Sequence, residues 1–253
     1  MLASHRRLAL WTVALGALAF APGPAHAARP SAGPEPAPPA SEGPTVAVLY
    51  FDYSGEDDSL AVLRKGLTQM LVSDLTALGG LRVVERERLE EVLAELELSK
   101  SRKIDPATAA RLGKLLGARY LVMGSYFELL GTLRADARVV EVETGRIVGS
   151  FGGHGKPGEF LEVEQKLGRS LGEALTATLA LPPEPHEPQR KTAARRRPKP
   201  PKRLATKTAV RYSKALDAKD KGDLKEARKE LEATLAEQPD FQLATAELDR
   251  LIQ

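Results

Sequence analysis

The 253-residue sequence contains no cysteine. That removes disulfides, thiolate metal ligands and cysteine nucleophiles. It also removes the residue that a lipoprotein signal needs at its cleavage point, so the chain is expected to carry no lipid of its own. Histidine is scarce: of four, only His154 and His186 follow residue 27. Without cysteine the usual zinc and haem ligand sets cannot be assembled, and no metal or cofactor is expected. A serine triad would have to recruit one of those two histidines, and neither lies in a motif that suggests it. The chain also lacks an apolar run of membrane-spanning length. Its longest, Leu8 to Phe20, has thirteen residues, whereas crossing ~30 Å of hydrocarbon takes about 20.

That short run reads instead as the middle of an export signal. His5-Arg6-Arg7 precedes it as a basic n-region, and Ala25-His26-Ala27 follows as a small-x-small cleavage site. Residues 1–27 are therefore expected to be a signal peptide, with Ala28 the new N-terminus. An uncleaved anchor is the rival, and thirteen residues followed by Pro22 and Pro24 fall short of one. Residues 28–44 contain six prolines and cannot bury enough apolar surface to offset chain entropy, which predicts a disordered spacer. Residues 182–207 form a second linker, rich in Pro, Lys and Arg. Between the two lies 45–181, long enough for one domain with a real core. Residues 208–253 form a small helical segment.

Within 45–181, Thr45 to Phe51 is a continuous β-rich apolar run, the pattern of a strand buried on both faces. Asp52 to Ser59 is polar and reads as a loop. A helical stripe runs from Leu60 through Leu63, Leu67, Met70, Leu71 and Leu75 to Leu78, ended by Gly79-Gly80. Leu81 to Val84 is a short strand and Arg88 to Leu98 a second helix. Asp105-Pro106 supplies an N-cap and a first-turn proline for a third helix that stops at Gly117. Three strands follow at Tyr120–Ser125, Leu133–Val142 and Arg146–Phe151, the last two joined by a tight turn at Glu143-Thr144-Gly145. A phase shift at Val140 signals a β-bulge. A final helix carries Phe160, Val163, Leu167, Leu171, Leu175 and Leu179. The order β-α-β-α-α-β-β-β-α predicts an α/β fold. Its mixed sheet has flanking helices, parallel strands where helices connect them and antiparallel strands in the hairpins. A small all-α helical hairpin follows at the C-terminus.

Four stretches occur together in order: Val46-Ala47-Val48; Val83-Val84-Glu85-Arg86 followed by Leu89 and Leu93; Gly117 to Ser125; and Ala137 to Ile147. This series resembles the periplasmic domain of the CsgG family, the curli-secretion channel proteins, and is similar to the FlgO and TolB amino-terminal domains, over about residues 45 to 180. The resemblance implies a non-enzymatic envelope role. Members of that family are lipidated at a cysteine and insert two long hairpins to build an outer-membrane barrel. Here Tyr126–Thr132 and Gly152–Gly158 offer seven residues each, whereas a membrane strand alone takes about 9–11. At the C-terminus, Ala215, Ala218, Gly222-Asp223, Ala227 and Pro239 resemble a tetratricopeptide repeat, with a simple helical hairpin as the alternative. One and a half such units need something to dock on, either the main domain or a partner.

Three groups of residues are candidate sites. Asp52, Glu56, Asp57 and Asp58 follow the first strand, where α/β sheets bind ligands and where paired carboxylates can hold a divalent cation. The alternative is that they cap the next helix. Glu85 and Arg86 close the second strand, either as an acid beside an anion-binding arginine or as the fixing of a corner or subunit contact. The basic stretch Arg190–Lys207 includes Arg195, Arg196, Arg197, Lys199, Lys202 and Arg203. Export argues against nucleic acid there; anionic lipid headgroups or lipopolysaccharide phosphates fit better, and a charged, proline-stiffened linker is the plain reading. The expected function is that of a non-enzymatic periplasmic scaffold or accessory subunit of an outer-membrane assembly or secretion system. Its partners would be envelope proteins, an outer-membrane channel or further copies of itself, and its location the soluble periplasm, peripheral to the outer membrane at most. The alternative is a periplasmic small-molecule- or metal-binding domain using the acidic loop.

Overall fold

The computed structural model describes residues 43–98, 105–156, 158–178 and 204–252. The run from Thr45 forms β1 (Thr45–Val48), and Leu49, Tyr50 and Phe51 beyond it are buried as well. β1 lies between β3 (Arg82–Val83) and β4 (Tyr120–Leu129), parallel to both. β4, β5 (Thr132–Glu141) and β6 (Ile147–Gly155) continue the sheet antiparallel, in the order β3-β1-β4-β5-β6. The mixed sheet is the one that the sequence predicts, with parallel strands where helices connect them. The bulge also falls where the alternation slips, between Val139 and Val140.

Each face buries a different set of residues. On one side α1 (Leu63–Ala77) and α4 (Phe160–Thr178) cover Val46, Val48, Tyr120 and Val122 with Leu63, Leu67, Leu71, Leu167 and Leu171. A Cβ on Gly153 would lie 2.4 Å from the Val163 carbonyl oxygen, so only glycine lets α4 seat this closely on β6. On the other side α2 (Arg86–Glu95) and α3 (Pro106–Leu115) pack Leu89, Val92, Leu93 and Leu112 on Ala47, Leu49 and Leu121. Asp105 caps α3 as its sequence predicts, accepting from the N–H groups of Ala107 and Thr108.

Several expectations are corrected. Asp52–Tyr53 is not loop but a short strand, β2, because Ser125 and Tyr126 of the long β4 offer it a parallel partner. Glu85 and Arg86 do not close a strand: β3 ends at Val83, Glu85 is the residue before α2, and Arg86 is its first residue. The β5–β6 turn is wider than the tight turn expected. Its carbonyl at Glu141 accepts from the N–H of Gly145, which takes the positive φ of +68° that its position suggests. The spans Tyr126–Thr132 and Gly152–Gly158 are mostly strand. Leu129 pairs with Thr132, leaving Leu130 and Gly131 as a two-residue turn, so the connections are even shorter than counted from sequence.

The C-terminal segment folds as α5 (Thr206–Asp220), α6 (Leu224–Glu237) and α7 (Gln242–Ile252). Leu204 is already buried, so order begins inside the stretch read as linker. Tyr212 and Phe241 meet edge to face at 4.8 Å. They share one apolar cluster with α1, α4 and the sheet. A Cβ on Gly66 of α1 would fall 2.2 Å from Ser213 Oγ of α5, which marks where these two helices cross in near contact. Of the two docking options left open by the sequence, the structure uses the chain's own domain.

Candidate interaction surface

The corner singled out in the sequence holds the tail in place. Arg86 has none of its side chain exposed. Its guanidinium grips Asp220 of α5 with two parallel bonds, Nη1–Oδ2 at 2.7 Å and Nη2–Oδ1 at 3.0 Å, the fork geometry that suits arginine. Nη1 also donates to the Tyr50 hydroxyl, which donates in turn to Glu90 at 2.6 Å. Burial first, opposed by the Arg86 charge and reinforced by Glu90, holds the Tyr50 phenol far above its ordinary pKa. Lys65 of α1 adds a second cation, 2.6 Å from Asp220 and 3.1 Å from Asp217. Next to this cluster Lys219 bridges Glu87 and Glu247. Burial works against the Glu87 charge, but the Lys219 bond and the Arg86 and Lys219 charges prevail and hold its pKa at about 2. Arg86 is thus an anion-binding arginine whose anion belongs to the same chain. Glu85 makes no capping bond and lines a cleft of about 190 Å³ beside it.

The acidic loop does not converge on one point. Asp57 accepts from the Ser59 N–H and caps a short 3₁₀ turn, Asp58–Leu60, and its bonds to Ser59 lower its pKa. Glu56 and Asp58 are exposed, and Asp52 alone of the four reaches the large cleft described next. Among the described residues no three His, Asp or Glu side chains gather as a metal site requires. Arg195, Arg196, Arg197, Lys199, Lys202 and Arg203 lie outside the described residues.

A surface that the sequence did not single out is the open half of the sheet. α2 and α3 cover β1 and one end of β4, reach β5 and β6 near Val140 and Ile147, and leave the rest of those two strands open on that face. Leu133, Ala135, Ala137 and Val139 of β5 point to the core, so Arg134, Asp136 and Arg138 point out. They stand beside Ser125 of β4 and Ser150 and His154 of β6 in a cleft of about 660 Å³, within the size range of ligand and peptide sites. Arg134 is tied to Asp136 by bonds of 2.7 and 2.8 Å. Arg138 is exposed and enters no ion pair among the described residues. An apolar hollow of about 150 Å³ between Met123, Val140 and Ile147 opens next to it. At the far end the β4–β5 turn presents Leu129, 61% exposed, and Leu130, 95% exposed at a φ of +49°. A branched apolar residue in that region is strained. Alternation along β5 carries the signal for this face, but outward polar residues on a strand look the same whether they bind a partner or water.

Fold and surface together define a class: a mixed α/β domain with half of one sheet face open and a helical tail docked against α1. Within that class the chain is CsgG-like: residues 35–129 match the family described as Curli production assembly/transport component CsgG. Among solved structures it is similar to the LpoB C-terminal domain from Escherichia coli, at 19% identity and a TM-score of 0.39, covering 47% of this chain and 87% of that one. It is similar also to lipoprotein GNA1162 from Neisseria meningitidis (15%, TM-score 0.37, 44% and 79% covered). A third is the PelC dodecamer from Paraburkholderia phytofirmans (15%, TM-score 0.32, 56% and 91%). Among curated proteins, "Putative adenylate cyclase 3" of Rhizobium meliloti (strain 1021) is 27% identical over 116 residues, 46% of this chain and 18% of that protein. The chain thus spans less than a fifth of that relative's length. No helix among the described residues is long and apolar enough to cross a membrane.

Proposed function

We propose that this protein is a non-enzymatic accessory or scaffold subunit of an outer-membrane assembly or secretion system, exported to the periplasm, and that it binds an envelope protein through the open sheet face. The observation that carries this reading is the pairing of a long polar cleft with an apolar rim. Arg138 is of a residue type enriched at protein contacts, and the exposed Leu129-Leu130 turn adds apolar area beyond the end of the cleft. The Arg86 pocket is a weaker candidate, because Asp220 fills it. The Arg190–Lys207 stretch supports a secondary role, holding the domain near anionic headgroups or lipopolysaccharide. The tail reads as a repeat-like unit whose inner face is spent on its own domain, leaving α6 and α7 to present the rest.

The test is a photo-crosslinking residue placed at Arg138 or Leu130 in cells, with the same residue at exposed Lys229 on α6 as control. One discrete crosslinked envelope protein from the first two positions, weakened by Arg138→Glu, is the expected result. Equal, diffuse labelling from all three positions would sink the proposal.

A further inference from the structure

Glu164 sits in the second turn of α4 with 1% of its surface exposed, and its Oε1 has no hydrogen-bond partner. Asp74 approaches from α1. A methyl group on Gly168 would lie 3.1 Å from Asp74 Oδ2 and 3.7 Å from Glu164 Oε1, so both carboxyls turn toward one point in the α1–α4 seam. Among the described residues no Lys or Arg is recorded in an ion pair with either carboxyl. On α1, Lys65 is held by Asp217 and Asp220, and Arg64 lies over the Tyr50 ring. On α4, Lys166 reaches the His154 carbonyl and Arg169 is exposed. On α5, Arg211 pairs with Glu230 and Glu237, Lys207 lies by Glu237, and Lys214 is exposed. From the sheet, the β5 and β6 residues in this core are apolar, among them Leu133, Ala135, Ala137 and Val139, with Gly153 and Gly155 against α4, and His154 of β6 faces outward into the cleft.

Two carboxylates cannot both stay ionised in such a place. Without a counter-ion their repulsion adds to the cost of removing Glu164 from water, and half-buried Asp74 in part with it, and a shared proton relieves both. We propose that Glu164 and Asp74 hold one proton between them, and that this proton fastens α1 to α4, so the seam loosens when rising pH removes it. The same helix α1 carries Lys65 and Gly66, the contacts of the tail. A loosened seam therefore weakens the hold on α5 as well, which makes the domain and its tail one pH-responsive unit.

Burial first, and then the Asp74 charge, push the Glu164 carboxyl well above its ordinary range, in agreement with a proton resident on Glu164 and accepted by Asp74. The folded-state pKa lies above the unfolded one. The seam is therefore at full strength below the ordinary carboxyl range and is lost as pH rises through the folded value.

The test uses the full chain. Thermal unfolding is followed from about pH 4, near the ordinary carboxyl range, into the alkaline range, and infrared spectroscopy at neutral pH looks for the carbonyl stretch of a buried, protonated carboxylic acid. The wild-type melting temperature should fall by several degrees toward the alkaline end. Glu164→Gln, which cannot ionise, should flatten that fall and abolish the band. Parallel pH profiles for wild type and Glu164→Gln, or no acid band in the wild type, would overturn the proposal. Should the glutamine variant fail to fold, Asp74→Asn decides. A smaller alkaline fall than wild type supports the shared proton, and an equal fall refutes it.

Discussion

Arg86 carries a full charge with no solvent contact, and its Nε has no partner even though both Nη atoms do. Its removal leaves Asp220 facing Lys65 alone in a desolvated pocket. Arg86→Ala is therefore expected to cost about 3–5 kcal/mol, the range for breaking a buried pair, read as a lower urea midpoint with an unchanged slope. Replacing both partners together, Arg86→Met with Asp220→Leu, should cost far less than the sum, because no orphan charge remains. At the Leu130 turn position the sign reverses. A leucine with positive φ in a two-residue hairpin stands where Asn or Gly is favoured. Leu130→Asn should raise stability by about 1 kcal/mol, measured by thermal shift, while weakening any crosslink made from the same turn. A stabilising change that lowers binding would identify the leucine as kept for contact.

At the scale of elements, legibility followed the strength of periodic patterns. The α1 and α4 stripes, the α3 cap and the β5 bulge were written in local residues and appear where expected. The extension of β4 was not. Tyr126, Phe127, Glu128 and Leu129 put apolar groups on both faces, so no two-residue alternation marks the strand, which exists because β5 pairs with it residue for residue. β6 runs on past Phe151, and its end is hidden in the sequence for a different reason. Its last residues, Gly152-Gly153-His154-Gly155, have little strand propensity, and the approach of α4 demands glycine there more than the strand forbids it. Gly153→Val tests that balance. It should lower stability by about 1–3 kcal/mol, the usual cost of overpacking, and chemical denaturation measures it. The site divided in the same way. Arg86 stood out in sequence because of its corner, but its partner Asp220 lies 134 residues away in a run of alternating charge that resembles any solvated helix end.

For the whole molecule, the tail and the α/β domain are bound by an apolar seam and by a cluster of charges. The segment between them is rich in Lys and Arg, the residues after which trypsin cuts. After a limited nick there, the tail should still co-elute with the domain on size exclusion at neutral pH, and should separate in Arg86→Ala. Acid should also separate the nicked pieces. Glu87 is held at about 2 against an ordinary 4.5, so its contribution is complete above 4.5 and vanishes as pH falls through about 2. The clasp has a further consequence in time. Lys65 and Arg86 are made long before Asp217 and Asp220, and as the chain emerges from its N-terminus the domain's sheet and helices are complete while two of its inner cations have only the longer contacts to Glu90 and Glu87 and still lack their closest anions. Closure of such distant contacts is slow, so the last helices to emerge set the moment at which the first ones become fully stable. A stop codon between Leu204 and Asp220 would then produce a chain that holds every residue of its α/β domain and yet never finishes folding it, and pulse-chase decay faster than that of the intact protein is the signature to look for.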